Sequence, residues 1–365
     1  MKKVVLLTTH VWNSKRRAGF HWIADALWRA GWEVHFVTGF SFIDKLKGDY
    51  RCRHLPPEGF NRVVLEMERF YSYIWYHWWR PADFRSRLLN YMMYPWFLQY
   101  GRLPLGELDS IVRRADLVVY ESIMELLFFE RFKRLNPTAR FVYRVSDNLH
   151  LAHTHPVVLD TERRIAPSFD LVSVPTPSIY EKFAAIPGVN VQLQAHGVPV
   201  HLYDQVHDNP YERYGEKNAV FVGNLAFDVD FLDRASRLFP EVTFHIIGPI
   251  AGLQVRNNIV AYGEIPYQDT IPYVKFATIG LAPRTMASMT DSNKIMQYTY
   301  CRLPIVTSSI NRSDKPHVFY YDFGDDESIK FAIEQALAFD HKLVPADRVT
   351  SWDALAAALA GDLWE

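Results

Sequence analysis

"VVLLTTHVWNSKRRAGFHWIADALWRAGWEVHFVT", residues 4–38, decides the fold. Residues 4–9 are mostly apolar and β-branched and read as a buried strand. From Phe20 to Ala30 the spacing changes. Phe20, Ile23, Leu27 and Trp28 recur at helical intervals, and Gly31 stands where a helix stops. "EVHFVT" is a second strand. Strand, helix and strand in that order make a βαβ unit, which implies a parallel sheet. "ADLVVYES" and "RFVYRVSD" repeat the pattern around the helical "MELLFFERFKRL", and "FDLVSVPTP" with "SIYEKFAA" repeats it again. Residues 1–200 therefore read as one doubly wound α/β domain.

Beyond it, residues 201–218 are polar, turn-rich and unperiodic, and read as a linker. A fresh α/β series follows in "AVFVGNL", "VTFHIIGP", "IVAYGEI", "FATIGLAP" and "LPIVTSS". It sets a second Rossmann-like domain over 219–345, with a short amphipathic helix in 346–365. The length, 365 residues, suits two domains. Residues 63–104 break the pattern. They are dense in Trp, Tyr and Phe, with Arg69, Arg80, Arg85, Arg87 and Arg102 interleaved. That composition fits either a membrane-facing segment or a pair of core helices with a wet face.

Charge is balanced, 40 Lys and Arg against 41 Asp and Glu, so nothing global calls for nucleic acid. Two cysteines, Cys52 and Cys301, make no disulfide framework and show no metal spacing, which fits a reducing compartment. The opening apolar run stops at Thr8 without a cleavage signal, and no stretch of 18 apolar residues follows. The expected location is the cytoplasm, peripheral at the inner face of the cell membrane. No G-x-G-x-x-G follows either domain's first strand, which argues against a nicotinamide oxidoreductase.

In open parallel sheets ligands sit at the carboxyl ends of strands. "FVYRVSDNLH", residues 141–150, ends a strand with Asp147, which suits a turn, a helix cap or a general base. His10 closes the first strand and is the rival base. Lys15, Arg16 and Arg17 precede the first helix, as a solvated loop or as contacts for a pyrophosphate. In "GLAPRTMASMTDSNKIMQYTYCRLPIV", residues 280–306, Asp291 or Ser292 can cap a helix that carries Lys294, Gln297 and Tyr298 on one face. A helix N-terminus with a lysine in its first turn favours phosphate. "FGDDE" at 323–327 reads as a turn and helix start.

Taken in order, "RRAGFHWIADAL", "YRVSDNL", "ERRIAPSFDLVS", "HGV", "FPEVTFHIIG", "YGEI" and "KIMQY" resemble the xanthan glucuronosyltransferases of glycosyltransferase family 70, over roughly residues 4–340. The resemblance implies the GT-B fold and a UDP-glucuronate donor. It also implies a polyprenyl-diphosphate-linked oligosaccharide acceptor, inversion at the anomeric carbon, and attachment to an anionic membrane surface. By motif, Asp147 matches the base. Leu225, Glu264, Lys294 and Gln297 match the donor site, where Arg284 and Asn293 are also placed. His10, Lys15, Arg16 and Arg17 are left for acceptor or pyrophosphate. Arg284 stands where the xanthan enzyme has Tyr, and the loop after it is shorter. Arg284 can therefore meet a sugar carboxylate or the diphosphate.

Retaining members of this fold carry a Glu seven residues before the ribose-binding acid. Here Thr290 and Met289 precede Gln297 by seven and eight, and neither is acidic. Inversion is expected on that count. Lys294 and the helix N-terminus can meet the charge of leaving UDP, so no metal or other cofactor is expected. The alternatives are transfer of another UDP-hexose, a GT-B-fold UDP-sugar 2-epimerase, and a membrane-bound scaffold without catalysis.

Overall fold

The computed structural model describes residues 1–14, 16–49, 51, 55, 57–150, 153–223, 226–254, 256–286, 293–312 and 314–364. They form two compact units: Met1–Ala195 with Trp352–Glu365, and His196–Ser351.

The first unit holds strands β1 (Lys3–Thr8), β2 (Glu33–Ser41), β3 (Val63–Met67), β4 (Phe70–His77), β5 (Leu117–Tyr120), β6 (Arg140–Arg144), β7 (Leu171–Val174) and β8 (Val191–Leu193). They lie in the order β3-β4-β2-β1-β5-β6-β7-β8. Among the described residues only the β3–β4 pair of this sheet is antiparallel. The opening βαβ reading holds to within a few residues. Its helix is Gly19–Arg29, and Gly31, at φ +90°, closes it. There the N–H of Trp32 bonds Leu27 O at 3.1 Å and that of Gly31 bonds Trp28 O at 2.9 Å. This is the paired 6→1 and 5→2 closure that needs a residue able to turn left-handed. At its other end His21 takes a cap's place, its Nδ1 accepting the Ala18 N–H at 3.0 Å.

Three expectations need correction. The stretch 63–104 is not a helix pair. Its first half is the β3–β4 hairpin at the sheet edge, and its second half supplies one helix, Arg87–Leu98. Aromatic residues suit a pleated strand as well as a helix, and composition alone does not separate the two. The expected linker packs on the second unit. Tyr203 and Tyr211 are buried there, and the Tyr211 hydroxyl donates to Tyr273 O at 2.6 Å. The last helix, Trp352–Ala360, belongs to the first unit. Trp352 is buried over Gly19, and Asp353 pairs with Arg29 at 2.7 Å.

The second unit is a six-stranded parallel sheet: β9 (Asn218–Val222), β10 (Thr243–Ile247), β11 (Ile259–Gly263), β12 (Ile279–Ala282), β13 (Ile305–Ser308) and β14 (Val318–Tyr321). Their order is β11-β10-β9-β12-β13-β14. Strands β9 and β12 are fully buried on the faces of Ala219, Phe221, Ile279 and Leu281, which explains their continuous apolar runs. "FGDDE" starts the helix Asp326–Ala338 as expected, with the Asp325 side chain accepting from Glu327 N and Ser328 N.

Candidate active site

Strand order reverses on either side of β1, so the first unit's switch point lies between β1 and β5. His10 and Glu121 meet there. The Glu121 carboxylate is buried and accepts from Thr8 Oγ1 at 2.5 Å and Thr9 N at 3.1 Å, and its other oxygen lies 3.6 Å from His10 Nε2. Burial alone would raise its pKa, but His10, Thr8 and Thr9 outweigh that and hold it at about 2.

Asp147 stands three residues past β6, and the residue as a whole is exposed although its carboxylate is crowded. Among the described residues its carboxylate accepts no hydrogen bond. The turn is made by its neighbour: Asn148 Oδ1 accepts the His150 N–H at 3.2 Å. The Ser122 hydroxyl oxygen accepts the N–H groups of Ser146 at 3.1 Å and Asp147 at 3.4 Å. Tyr143 lies 3.3 Å from that oxygen and donates to Glu162 at 2.6 Å. The crowded surroundings of Asp147 raise its pKa, first by desolvation and then through the Glu121 carboxylate, while His10 opposes. His10, Glu121 and Asp147 thus act on one another electrostatically. His155 is structural, since its Nδ1 caps the helix Pro156–Ile165 and its Nε2 meets Asn90 O.

The basic loop divides. Arg17 lies over the Trp12 ring at 4.6 Å and donates to Trp12 O, and burial lowers its pKa. Arg16 is exposed, and Lys15 lies outside the described residues.

In the second unit Gly223 follows β9 and Gly248 follows β10. A Cβ on Gly248 would lie 1.7 Å from Gly223 O, and one on Gly223 would lie 2.8 Å from Lys294 Nζ. Gly248 therefore excludes a side chain, and Gly223 leaves backbone facing the lysine. The helix Asn293–Tyr300 carries Lys294 in its first turn, with Nζ 3.6 Å from the centre of the Phe221 ring. Desolvation, then the nearby Arg284 charge, pushes the Lys294 pKa well below its ordinary value. Among the described residues no acid pairs with Lys294, and the buried Asn293 Oδ1 has no hydrogen-bond partner. Burial lowers the Arg284 pKa too, and its backbone oxygen accepts Ser308 Oγ at 2.7 Å. Tyr298 pins the helix to the sheet, accepting from Val222 N at 3.2 Å and lying 3.1 Å from Val220 O. Gln297 donates to the Tyr267 hydroxyl at 3.0 Å. Glu264 is exposed just past β11.

Lys294, Arg284 and Asn293 are therefore gathered at one strand-end cluster. Leu225, the expected cap at Asp291 or Ser292, and Thr290 and Met289 lie outside the described residues. Sequence reasoning passed over Glu121, Ser122 and the Gly223–Gly248 contact. "ADLVVYES" carried the same signal as the Asp147 stretch, an acid within a few residues of a buried strand's end. The chain also holds one Asp-x-Asp triplet, Asp228-Val229-Asp230. Its acids serve structure. Asp228 caps a helix through Phe231 N and accepts from Tyr321 at 2.8 Å, and Asp230 pairs with Arg234. Among the described residues no three His, Cys, Asp or Glu side chains are placed to share a metal ion.

Residues 6–175 match the family described as "Glucuronosyltransferase GumK, N-terminal domain". A UDP-glucuronate:glycolipid 2-beta-glucuronosyltransferase of Xanthomonas campestris pv. campestris is 32% identical over 341 residues, 91% of this chain and 83% of that protein. Among solved structures, Anabaena HepE in complex with UDP and glucose superposes with a TM-score of 0.61 at 12% identity, covering 98% of this chain and 95% of that one. WaaG, a glycosyltransferase involved in lipopolysaccharide biosynthesis, superposes with a TM-score of 0.50 at 14% identity, covering 99% and 96%. At such identities these structures speak to the fold alone, which is that of the GT-B glycosyltransferases.

Proposed function

Because the chain belongs to the GumK family of glucuronosyltransferases, we propose that it moves glucuronate from UDP-glucuronate to a glycolipid, with inversion and without a metal ion. The observation that carries this reading is the near full-length likeness to the Xanthomonas enzyme. Two strand-end clusters support a chemistry for it. Asp147 takes the proton of the acceptor hydroxyl as its oxygen bonds the anomeric carbon from the face opposite the leaving group. The bond from that carbon to the diphosphate breaks, and UDP leaves with the electron pair. Lys294, Arg284 and the helix N-terminus meet its charge. Arg284 faces either the diphosphate or the uronate carboxylate, and Gln297 serves the ribose or base.

One observation favours a second base. His10 has the buried, ionised Glu121 behind it, and a carboxylate there would stabilise the imidazolium formed by proton uptake.

The acceptor's lipid suggests where the enzyme works. The helix Arg87–Leu98 exposes Leu88, Leu89, Tyr91, Met92 and Trp96, Trp78 is exposed before it, and Arg85, Arg87 and Arg102 flank it. An apolar helix face beside cations suits an anionic membrane surface. Among the described residues no helix is long and apolar enough to cross a membrane.

One assay tests donor, acceptor and location together. Membranes from source cells lacking this gene should pellet the protein, less so at high salt. They should also accept label from UDP-glucuronate but not from UDP-glucose. Conversion of UDP-sugar without membranes would indicate an epimerase, and label from UDP-glucose alone would overturn the donor.

A further inference from the structure

On the β2 and β4 side of β1 lies a cavity of about 50 Å³ whose lining includes Thr8, Thr9, Arg51, Arg80, Tyr100 and Glu125. It shares Thr8 and Thr9 with the pocket of Glu121, so it adjoins the His10 and Asp147 site through two residues. Its walls are the carboxyl ends of parallel strands, where such sheets bind ligands. Nothing in the chemistry proposed above uses it.

The lining is polar and electrically balanced. Arg80 pairs with Asp44 at 2.6 Å, and Arg51 with Asp49 at 2.5 Å. Each guanidinium thus has its own carboxylate, which leaves an anion little net attraction. Glu125 is buried, its Oε1 3.3 Å from the Tyr100 hydroxyl, which lies 3.2 Å from His77 Nε2. A Cβ on Gly39 would lie 2.1 Å from that same carboxylate oxygen, so glycine is what lets Glu125 stand there. Burial raises the Glu125 pKa to about 7, so near neutrality it is present as both acceptor and donor. A neutral ligand with hydroxyl groups matches this lining, donating to a carboxylate and accepting from guanidinium N–H. The volume holds a few waters at roughly 10–15 Å³ each, which is room for one edge of a sugar and not for a whole ring.

We propose that this cavity is the acceptor subsite, in which Glu125 and Tyr100 hydrogen-bond a hydroxyl-bearing edge of the glycolipid's sugar. This rests on the transferase reading. A neighbouring hydroxyl of the same ring is then left beyond Thr9, toward His10 and Asp147. Glu125 and Tyr100 select the acceptor and have no part in holding the donor.

The test uses the full chain as wild type, Glu125→Gln and Tyr100→Phe, with gene-deleted membranes as acceptor. Apparent KM is measured for the membranes at saturating UDP-glucuronate, and for UDP-glucuronate at saturating membranes. Loss of a hydrogen bond to a charged group predicts a rise of about tenfold in acceptor KM for Glu125→Gln. A smaller rise is expected for Tyr100→Phe, with the donor KM unmoved in both. Two results overturn the inference. One is an acceptor KM equal to wild type in both folded variants, as for a cavity that only holds water. The other is a joint change of both KM values with a lowered Tm, as for a structural role. Failure of the wild type to transfer glucuronate at all is a separate result, and it strikes the transferase reading instead.

Discussion

The two sheets share one plan and carry opposite chemistry. Each is parallel where it matters and gathers its cluster at the carboxyl ends of central strands. In the first unit those ends hold acids and a histidine: Glu121, Asp147 and His10. In the second they hold cations against an aromatic ring: Lys294 over Phe221, with Arg284 beside them. Partial desolvation acts on both and does different work. It raises the pKa of Asp147, which suits the proton uptake proposed for it. It lowers that of Lys294, which marks a cation whose charge is poorly satisfied until an anion arrives. The lesson is that topology chooses the place, and burial of a particular charge chooses the task.

Removing the acid should have the largest effect. Asp147→Asn is expected to lower kcat by about 10²–10⁴-fold while UDP binding stays at the wild-type level. His10→Ala should cost far less. The reverse order in a kinetic comparison would move the base to the His10–Glu121 pair. Stability gives an independent reading. Because the folded-state pKa of Asp147 is raised, its ionised form is disfavoured by folding, and stability declines as pH rises through its titration. Asp147→Asn should therefore melt at or above the wild-type Tm at neutral pH, and a clear fall would assign Asp147 a structural role.

Next in size is the cation. Lys294→Ala should weaken UDP-glucuronate binding by about 10–100-fold in calorimetric titration, the worth of a charged hydrogen bond in a desolvated site. Acceptor KM should not follow. Equal affinity in mutant and wild type would break the comparison, because the second unit's cluster would then not be the nucleotide end.

Much of this was legible in the sequence, and most of the misses share a cause. The βαβ periodicity from Val4 to Thr38 reports local geometry, and it gave the parallel sheets. Asp147 and Lys294 could be found because each follows a buried strand or opens a helix, which are signals a few residues long. Glu121 had the same local signal. Its importance depends on Thr8 and His10, more than a hundred residues away, and no window along the chain joins them. Gly223 and Gly248 are two ordinary glycines until the fold sets one against the other's carbonyl. The β3–β4 hairpin was missed for a different reason. "FYSYIWYH" has no clean alternation, because its burial is set by β3 and β2 on either side of it, neighbours the sequence does not reveal.

Glu121 offers the finest test, since it is neither the proposed proton acceptor nor part of the cation cluster and still acts on the first. Its folded pKa of about 2 lies below the ordinary 4.5. The stability it contributes is thus complete above pH 4.5 and is lost as pH falls toward 2. Glu121→Gln should unfold more easily than wild type at neutral pH, by on the order of 3 kcal/mol, with the gap closing across that acid window. The same substitution removes a like charge beside Asp147 and so lowers the pKa of the proposed base. The acid limb of the kcat/KM profile should shift to lower pH. A limb that stays fixed while the stability gap appears would mean that Glu121 serves the fold alone and that the rate reports a base other than Asp147.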